Sequence, residues 1–168
     1  RYTKANGLSF YYALGYLVTD AVNAVENFRY TIRGGEVYLL DERIPSLTDL
    51  HPGSEQFHIV TLPKAGTMAE FCAAAQAKSA AQTTLLDQDD ETDNLIYFSC
   101  TPWFDLTACT NERDFDKDDN IPRICWGKYV AENGRETLGM ALEVNHRFVD
   151  GYHLGQFYQK LQASIDAL

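Results

Sequence analysis

The densest run of chemistry-bearing side chains is Glu143-Val-Asn-His-Arg-Phe-Val-Asp-Gly-Tyr-His153. Leu138, Met140, Leu142 and Val144 alternate ahead of it, so a strand puts them on one buried face. His146 is the next residue of that parity. The spacing predicts a histidine directed inward at the end of a strand, with Asp150 capping the free N–H groups of a helix that opens at Gly151. An imidazole there, with a carboxylate four residues on, suits a general base because it titrates near neutrality. Two other readings stand beside this one. The first is a core histidine that satisfies one hydrogen bond. The second is a metal site of His146, Asp150 and His153, which straddles a strand-to-helix junction and has no E-x-x-H or H-E-x-x-H companion.

The elements that must position this segment are legible as hydrophobic periods. Phe10, Leu14, Leu17, Val18, Ala21, Val25 and Phe28 form a helical stripe. Phe28–Arg33 and Glu36–Asp41 are β-rich runs joined by Gly34-Gly35, which predicts a tight hairpin. His51-Pro-Gly-Ser54 is a turn, Gln56–Leu62 a short strand and Gly66–Gln82 an Ala-rich second helix. Leu95–Cys100 is an unbroken apolar run and predicts a buried strand. A strand over Pro122–Val130 turns through Asn133-Gly134 into Thr137–His146, and Gly151–Leu168 carries the last helical stripe. Strands alternating with long helices make the fold α/β in the broad sense, an α+β sandwich, and the hairpins predict a mixed sheet with helices packed on it. Residues 1–168 are expected to form a single domain.

Composition narrows the function. Lys and Arg number 14 against 24 Asp and Glu, a net charge of −10, so neither nucleic acid nor an anionic membrane is the expected partner. No apolar run is long enough to span a bilayer. Five carboxylates lie between residues 87 and 93, but without the turn-making Gly of a metal loop they read as a solvated loop. A second acidic stretch covers Glu112–Asp119. The four cysteines, at 72, 100, 109 and 125, show no C-x-x-C spacing; they read as buried small hydrophobes, and their scatter fits a cytoplasmic protein.

Asn145-His146-Arg-Phe-Val-Asp150-Gly151 resembles the H-x-x-x-D-G signature of the type A chloramphenicol acetyltransferases, a motif shared across the CoA-dependent acyltransferase superfamily. Asn94-Leu-Ile-Tyr-Phe-Ser-Cys-Thr-Pro-Trp103 is similar to the family's strand leading into an N-P-W turn, and Trp126-Gly-Lys-Tyr129 to its G-K-Y strand. Phe28-Arg29, Gly35-Glu36 and Asp41 through His51-Pro-Gly follow the family's order. The resemblance covers nearly the whole chain and implies that the family's N-terminal segment is missing from it.

The resemblance implies a mechanism. His146 is the base that takes a proton from an acceptor hydroxyl, which attacks acetyl-CoA directly in a ternary complex. Acetyl-CoA is a co-substrate and no cofactor or metal is bound permanently. Asp150 and Gly151 support the site; the family's Arg partner for the Asp lies in the missing segment, and Arg147 and Arg29 are candidate substitutes. The family's oxyanion serine falls on Ala108, leaving Thr107 beside it, facing the other side of a strand, and Thr110 nearby. Thr107, Lys128 and Tyr129 are candidate oxyanion or CoA contacts, and Tyr97 a candidate wall of the acceptor pocket. Asn145 replaces the first histidine of the family's H-H pair. The resemblance further implies a homotrimer with interfacial active sites, acting on chloramphenicol or a similar small acceptor as an antibiotic-resistance enzyme. The alternatives are an acyltransferase for a different acceptor and a non-catalytic trimeric binding module.

Overall fold

A computed structural model describes residues 1–112 and 118–168; residues 113–117 of the second acidic stretch lie outside the described residues. A five-stranded mixed sheet runs in the order β4(Phe57–Thr61), β3(Ile44–Leu50), β5(Leu95–Thr101), β6(Arg123–Gly127), β9(Met140–Glu143). The three central strands are mutually parallel, and β4 and β9 are antiparallel to their neighbours. Two hairpins stand outside it, β1(Tyr30–Arg33) with β2(Glu36–Leu39) and β7(Val130–Glu132) with β8(Arg135–Thr137). Both turn as their sequences predict. Gly34 and Gly35 have φ of 58° and 85°, and Asn133 and Gly134 have 51° and 77°, the paired left-handed residues that match strand twist.

The helices pack on one face of the sheet. A short α1(Tyr2–Ala5) precedes α2(Phe10–Asn23), which contacts both α3(Met68–Ala81) and α4(Gly151–Asp166). Each long helix begins at a side-chain cap: Ser9 for α2, a Thr67–Glu70 capping box for α3 and Asp150 for α4. The core is built from alternation. Ile96 and Phe98 of β5, Ile124 and Trp126 of β6, Leu47 of β3 and Val60 of β4 join Val18, Val22, Phe71, Ala75, Phe157 and Leu161 of the helices. Met140 and Leu142 of β9 pack at its margin. No helix among the described residues is long and apolar enough to cross a membrane.

Several element boundaries differ from the sequence reading. The first stripe does not continue as one helix; α2 stops at Asn23, and a 3₁₀ turn over Glu26–Arg29 carries Phe28 into the core. At the last residue of α2 the Asn23 carboxamide exchanges hydrogen bonds with the backbone N–H (2.7 Å) and carbonyl (3.0 Å) of Arg43. The run from Pro122 breaks after Gly127, and the run from Thr137 divides into β8 and β9. Strand β3 has no sequence-level expectation at all, because Pro45, Thr48 and Asp49 interrupt its apolar pattern. Pro45 fits because the β4 ladder begins only at Ser46. Asp49 fits because it faces the helices and accepts from the Tyr12 hydroxyl and from Ser79 Oγ (2.7 Å).

Candidate active site

His146 lies beyond the end of β9, not in it. The strand finishes at Glu143, and residues 145–148 turn back toward α4. The alternation holds through Val144, which packs against the core, and then lapses, leaving His146 exposed. This corrects the inward direction inferred from parity: the ring leaves the buried face because the chain stops being extended two residues earlier. A buried, self-satisfied core histidine is thereby excluded.

The turn is held on both sides of His146. Asn145 O accepts from the N–H groups of Phe148 (3.1 Å) and Val149 (3.2 Å). Asn145 Oδ1 accepts from Arg147 N (3.0 Å), and Asn145 Nδ2 donates to the Asp119 carbonyl (3.0 Å). The Asp119 carboxylate is gripped by Arg123 at 2.9 Å, with both side chains nearly buried. Arg147 reaches Asp118 at 2.9 Å, and Asn27 Nδ2 donates to Phe148 O at 2.7 Å. The sequence reading did not find this web. Its one visible signal was an Asn two residues ahead of a free N–H, the pattern of an Asx turn.

Asp150 caps α4 as its position predicts, accepting from Tyr152 N (2.9 Å) and His153 N (3.3 Å). The His153 backbone N–H is the main cause holding this carboxyl below its ordinary range; that of Tyr152 adds to it, and the His153 and His146 rings lower it further. His153 Nδ1 lies 3.0 Å from Asp150 Oδ1 and accepts from Asp150 N at 3.1 Å. Neither proposed arginine substitute meets Asp150. Arg147 is engaged with Asp118, and Arg29 donates to the carbonyls of Leu40 (2.9 Å) and Asp41 (3.0 Å). Gly151 begins the helix with open space around its Cα.

The remaining candidates lie on the sheet face away from the helices or at its far end. Tyr97 is half-buried there; its hydroxyl donates to Glu91 (3.1 Å) and its ring lies under the Arg123 guanidinium at 5.5 Å. Burial is the main cause that pushes its hydroxyl pKa up to about 12. Residues 104–111 form no strand, so the two-sided argument about Thr107 and Ala108 does not apply; Thr107, Ala108 and Thr110 are all exposed. This segment crosses β6 and β9. Phe104 O accepts from Lys128 N at 2.9 Å, and Leu106 lies against Gly127 and Gly139. At its other end the Asn111 N–H (3.0 Å) and Nδ2 (3.2 Å) donate to Glu143 Oε2. A methyl group on Gly139 would run into the Leu106 carbonyl. Gly139→Ala is expected to cost about 1–3 kcal/mol, read as a lower denaturant midpoint with unchanged m-value.

Topology separates the candidates. β9 runs antiparallel to β6, so Glu143 faces Arg123 while Gly127 bonds to Gly139. His146 follows the Glu143 end. Thr107, Lys128 and Tyr129 gather at the Gly127–Gly139 end, about 13 Å away along the strands by the ordinary rise per residue, before the turn adds more. One chain does not bring them to one point. Burial pushes the Cys100 thiol up to about 11 and the Cys125 thiol up to about 12, the latter aided by the Cys109 thiol beside it, so neither Cys100 nor Cys125 is a low-pKa nucleophile.

Comparison with known proteins agrees with this architecture. Residues 1–162 match the family model for chloramphenicol acetyltransferase. Chloramphenicol acetyltransferase 2 of Escherichia coli is 27% identical over 163 residues, 95% of this chain and 76% of that protein. The Clostridium perfringens chloramphenicol acetyltransferase is 27% identical over 168 residues, covering 98% and 81%. A solved chloramphenicol acetyltransferase superposes with a TM-score of 0.83 at 27% identity, covering 96% of this chain and 79% of that one. The catalytic core of a 2-oxoacid dehydrogenase complex from Thermoplasma acidophilum shares the fold, with a TM-score of 0.70 at 15% identity over 98% of this chain and 78% of that one. With a mixed sheet, an H-x-x-x-D-G turn between its last strand and last helix, and a family model matched along nearly its whole length, the chain belongs to the chloramphenicol acetyltransferase family of enzymes.

Proposed function

We propose that this protein transfers an acetyl group from acetyl-CoA to a hydroxyl of chloramphenicol or a similar small acceptor, with His146 as the general base. The observation that carries the reading is an exposed imidazole in a turn whose backbone is tied down on both sides, between the last strand and a capped helix. A ring so placed can meet a ligand without unfolding anything. It takes the acceptor's proton as the oxygen attacks the thioester carbon; the tetrahedral oxyanion collapses, and the CoA thiol leaves carrying a proton. No acyl-enzyme is required, which is consistent with the raised thiol pKa values of Cys100 and Cys125. Asp150 acts on the turn and the helix, not on the substrate.

The separation of His146 from Thr107, Lys128 and Tyr129 supports a site completed by a second copy of the chain, and hence the homotrimer with interfacial sites. In it, Thr107 is the oxyanion candidate, Lys128 and Tyr129 the CoA contacts and Tyr97 a wall of the acceptor pocket. Ala108, at the position of the family's serine, favours a second reading in which the acceptor is a different hydroxyl.

The test is release of free thiol from acetyl-CoA by the purified protein, with chloramphenicol and then with a panel of hydroxyl and amine acceptors. Chloramphenicol-dependent release is expected. Release with another acceptor alone selects the second reading. Binding of CoA without turnover of any acceptor overturns both and leaves a trimeric binding module.

A further inference from the structure

The His146 ring has no hydrogen-bond partner among the described residues, so its direction is set by the backbone that carries it. On the N-terminal side of His146 that backbone is tied down by the side chain of Asn145. Asn145 offers an acceptor and a donor at the two ends of a single planar amide. Oδ1 closes the turn by receiving Arg147 N (3.0 Å), and Nδ2 ties the turn to the Asp119 carbonyl (3.0 Å). Asp119 is itself immobilised by Arg123, whose ring-stacked guanidinium projects from β6. The chain of contact therefore runs from a core strand, through Arg123 and Asp119, to the residue immediately before His146. Alanine, serine and aspartate cannot serve both ends: the first has neither group, serine is too short to span them, and aspartate has no N–H.

We infer that Asn145 is a positioning residue for His146, one that holds the imidazole in its reactive direction and does not itself touch substrate. The inference rests on the reading of His146 as the base. Its geometry is local and specific: Arg147, the other neighbour of His146, is held by Asp118, so loss of the Asn145 bridge frees the turn on its N-terminal side while the C-terminal side stays tied.

The experiment uses the full chain in the thiol-release assay, with whichever acceptor is turned over, and compares Asn145→Ala, Asn145→Asp and His146→Gln. A displaced reactive group costs on the order of 10²-fold in turnover. Asn145→Ala is expected to lower kcat by about that factor with the KM for acetyl-CoA changed less than about twofold, because no binding contact is lost. Asn145→Asp keeps the acceptor and loses the donor, and is expected to fall between Asn145→Ala and the parent. Should Asn145→Ala fail to fold, Asn145→Asp alone carries the test, with folding checked by thermal denaturation. Unchanged kcat in the folded Asn145 variants, or a rise in KM without a fall in kcat, overturns the positioning role while a dead His146→Gln leaves the base assignment standing. Full activity in His146→Gln overturns the base assignment and the positioning role with it.

Discussion

His146→Gln is expected to lower turnover by about 10²–10⁴-fold, the range a positioned general base contributes, while leaving thermal stability within about 0.5 kcal/mol of the parent, as for an exposed side chain with no hydrogen-bond partner among the described residues. The pairing of a large kinetic effect with a negligible folding effect is the informative part. A histidine kept for packing would behave the opposite way, and the exposure of this ring already speaks against packing. Glutamine preserves a polar side chain of similar reach but cannot accept a proton at neutral pH. The loss should fall on kcat, because a base acts on the transition state and adds little to ground-state binding. Binding of CoA, followed by calorimetry, is expected to be unchanged. A His146→Gln protein with more than about a tenth of the parental kcat would mean that the proton leaves by another route, since even modest base catalysis exceeds that factor.

The parts of this molecule that were legible in the sequence are those fixed by short-range chemistry. Gly34-Gly35 and Asn133-Gly134 declare their turns because few residues tolerate a positive φ. Leu95–Cys100 declares a central strand because its short apolar run carries Leu95, Ile96 and Phe98, all of which are buried. Asp150 declares the start of α4 because its carboxylate can reach the next free N–H groups. What was not legible depends on partners far away in the chain. β3 carries Asp49 on its helix-facing side, and besides the adjacent Leu50 N–H (2.8 Å) it is the Tyr12 hydroxyl and Ser79, distant in sequence, that make that carboxylate acceptable there. His146 was expected to continue the parity of Leu142 and Val144, but parity is a rule for extended backbone and ends where the strand ends. At the site, the motif residues could be named in advance. The tether of Asn145 to Asp119 could not, and neither could the placing of His146 and Lys128 at opposite ends of the sheet, which follows only from the antiparallel pairing of β9 with β6.

Arg43→Met is expected to cost about 3–5 kcal/mol, because several buried carbonyls lose their donor together and each unsatisfied one costs about 1–3 kcal/mol. Arg43 has no counterpart in the motif-based reading, yet only 1% of its surface is exposed. All its N–H groups are spent on backbone carbonyls: Nε on Phe28, Nη1 on Asp93 and Leu95 (both 3.1 Å), and Nη2 on Tyr30 (2.8 Å) and Asn120 (3.3 Å). A guanidinium has five such donors, so none is wasted. Burial is the main cause that lowers its pKa to about 10, with Asp93 and Asp119 opposing the shift, so the group remains charged at neutral pH. Replacing a buried ion pair with apolar residues is often harmless, because both partners go together. That escape is closed here, since the acceptors are main-chain carbonyls that no substitution removes. Methionine fills much of the volume but leaves them facing an apolar side chain. Arg43→Lys keeps the charge but has three donors on a compact head, and should recover only part of the loss. An unfolding free energy that falls by less than about 1 kcal/mol in Arg43→Met, measured by denaturant titration, would mean that water replaces the guanidinium at this hub. The expected loss is not confined to stability. The same side chain joins the entry of β1, the entry of β5 and Asn120, the neighbour of the Asp119 that anchors the His146 turn. Below its own melting temperature, Arg43→Lys is therefore expected to lose turnover as well, and by less than Asn145→Ala, because the disturbance reaches His146 through one more link.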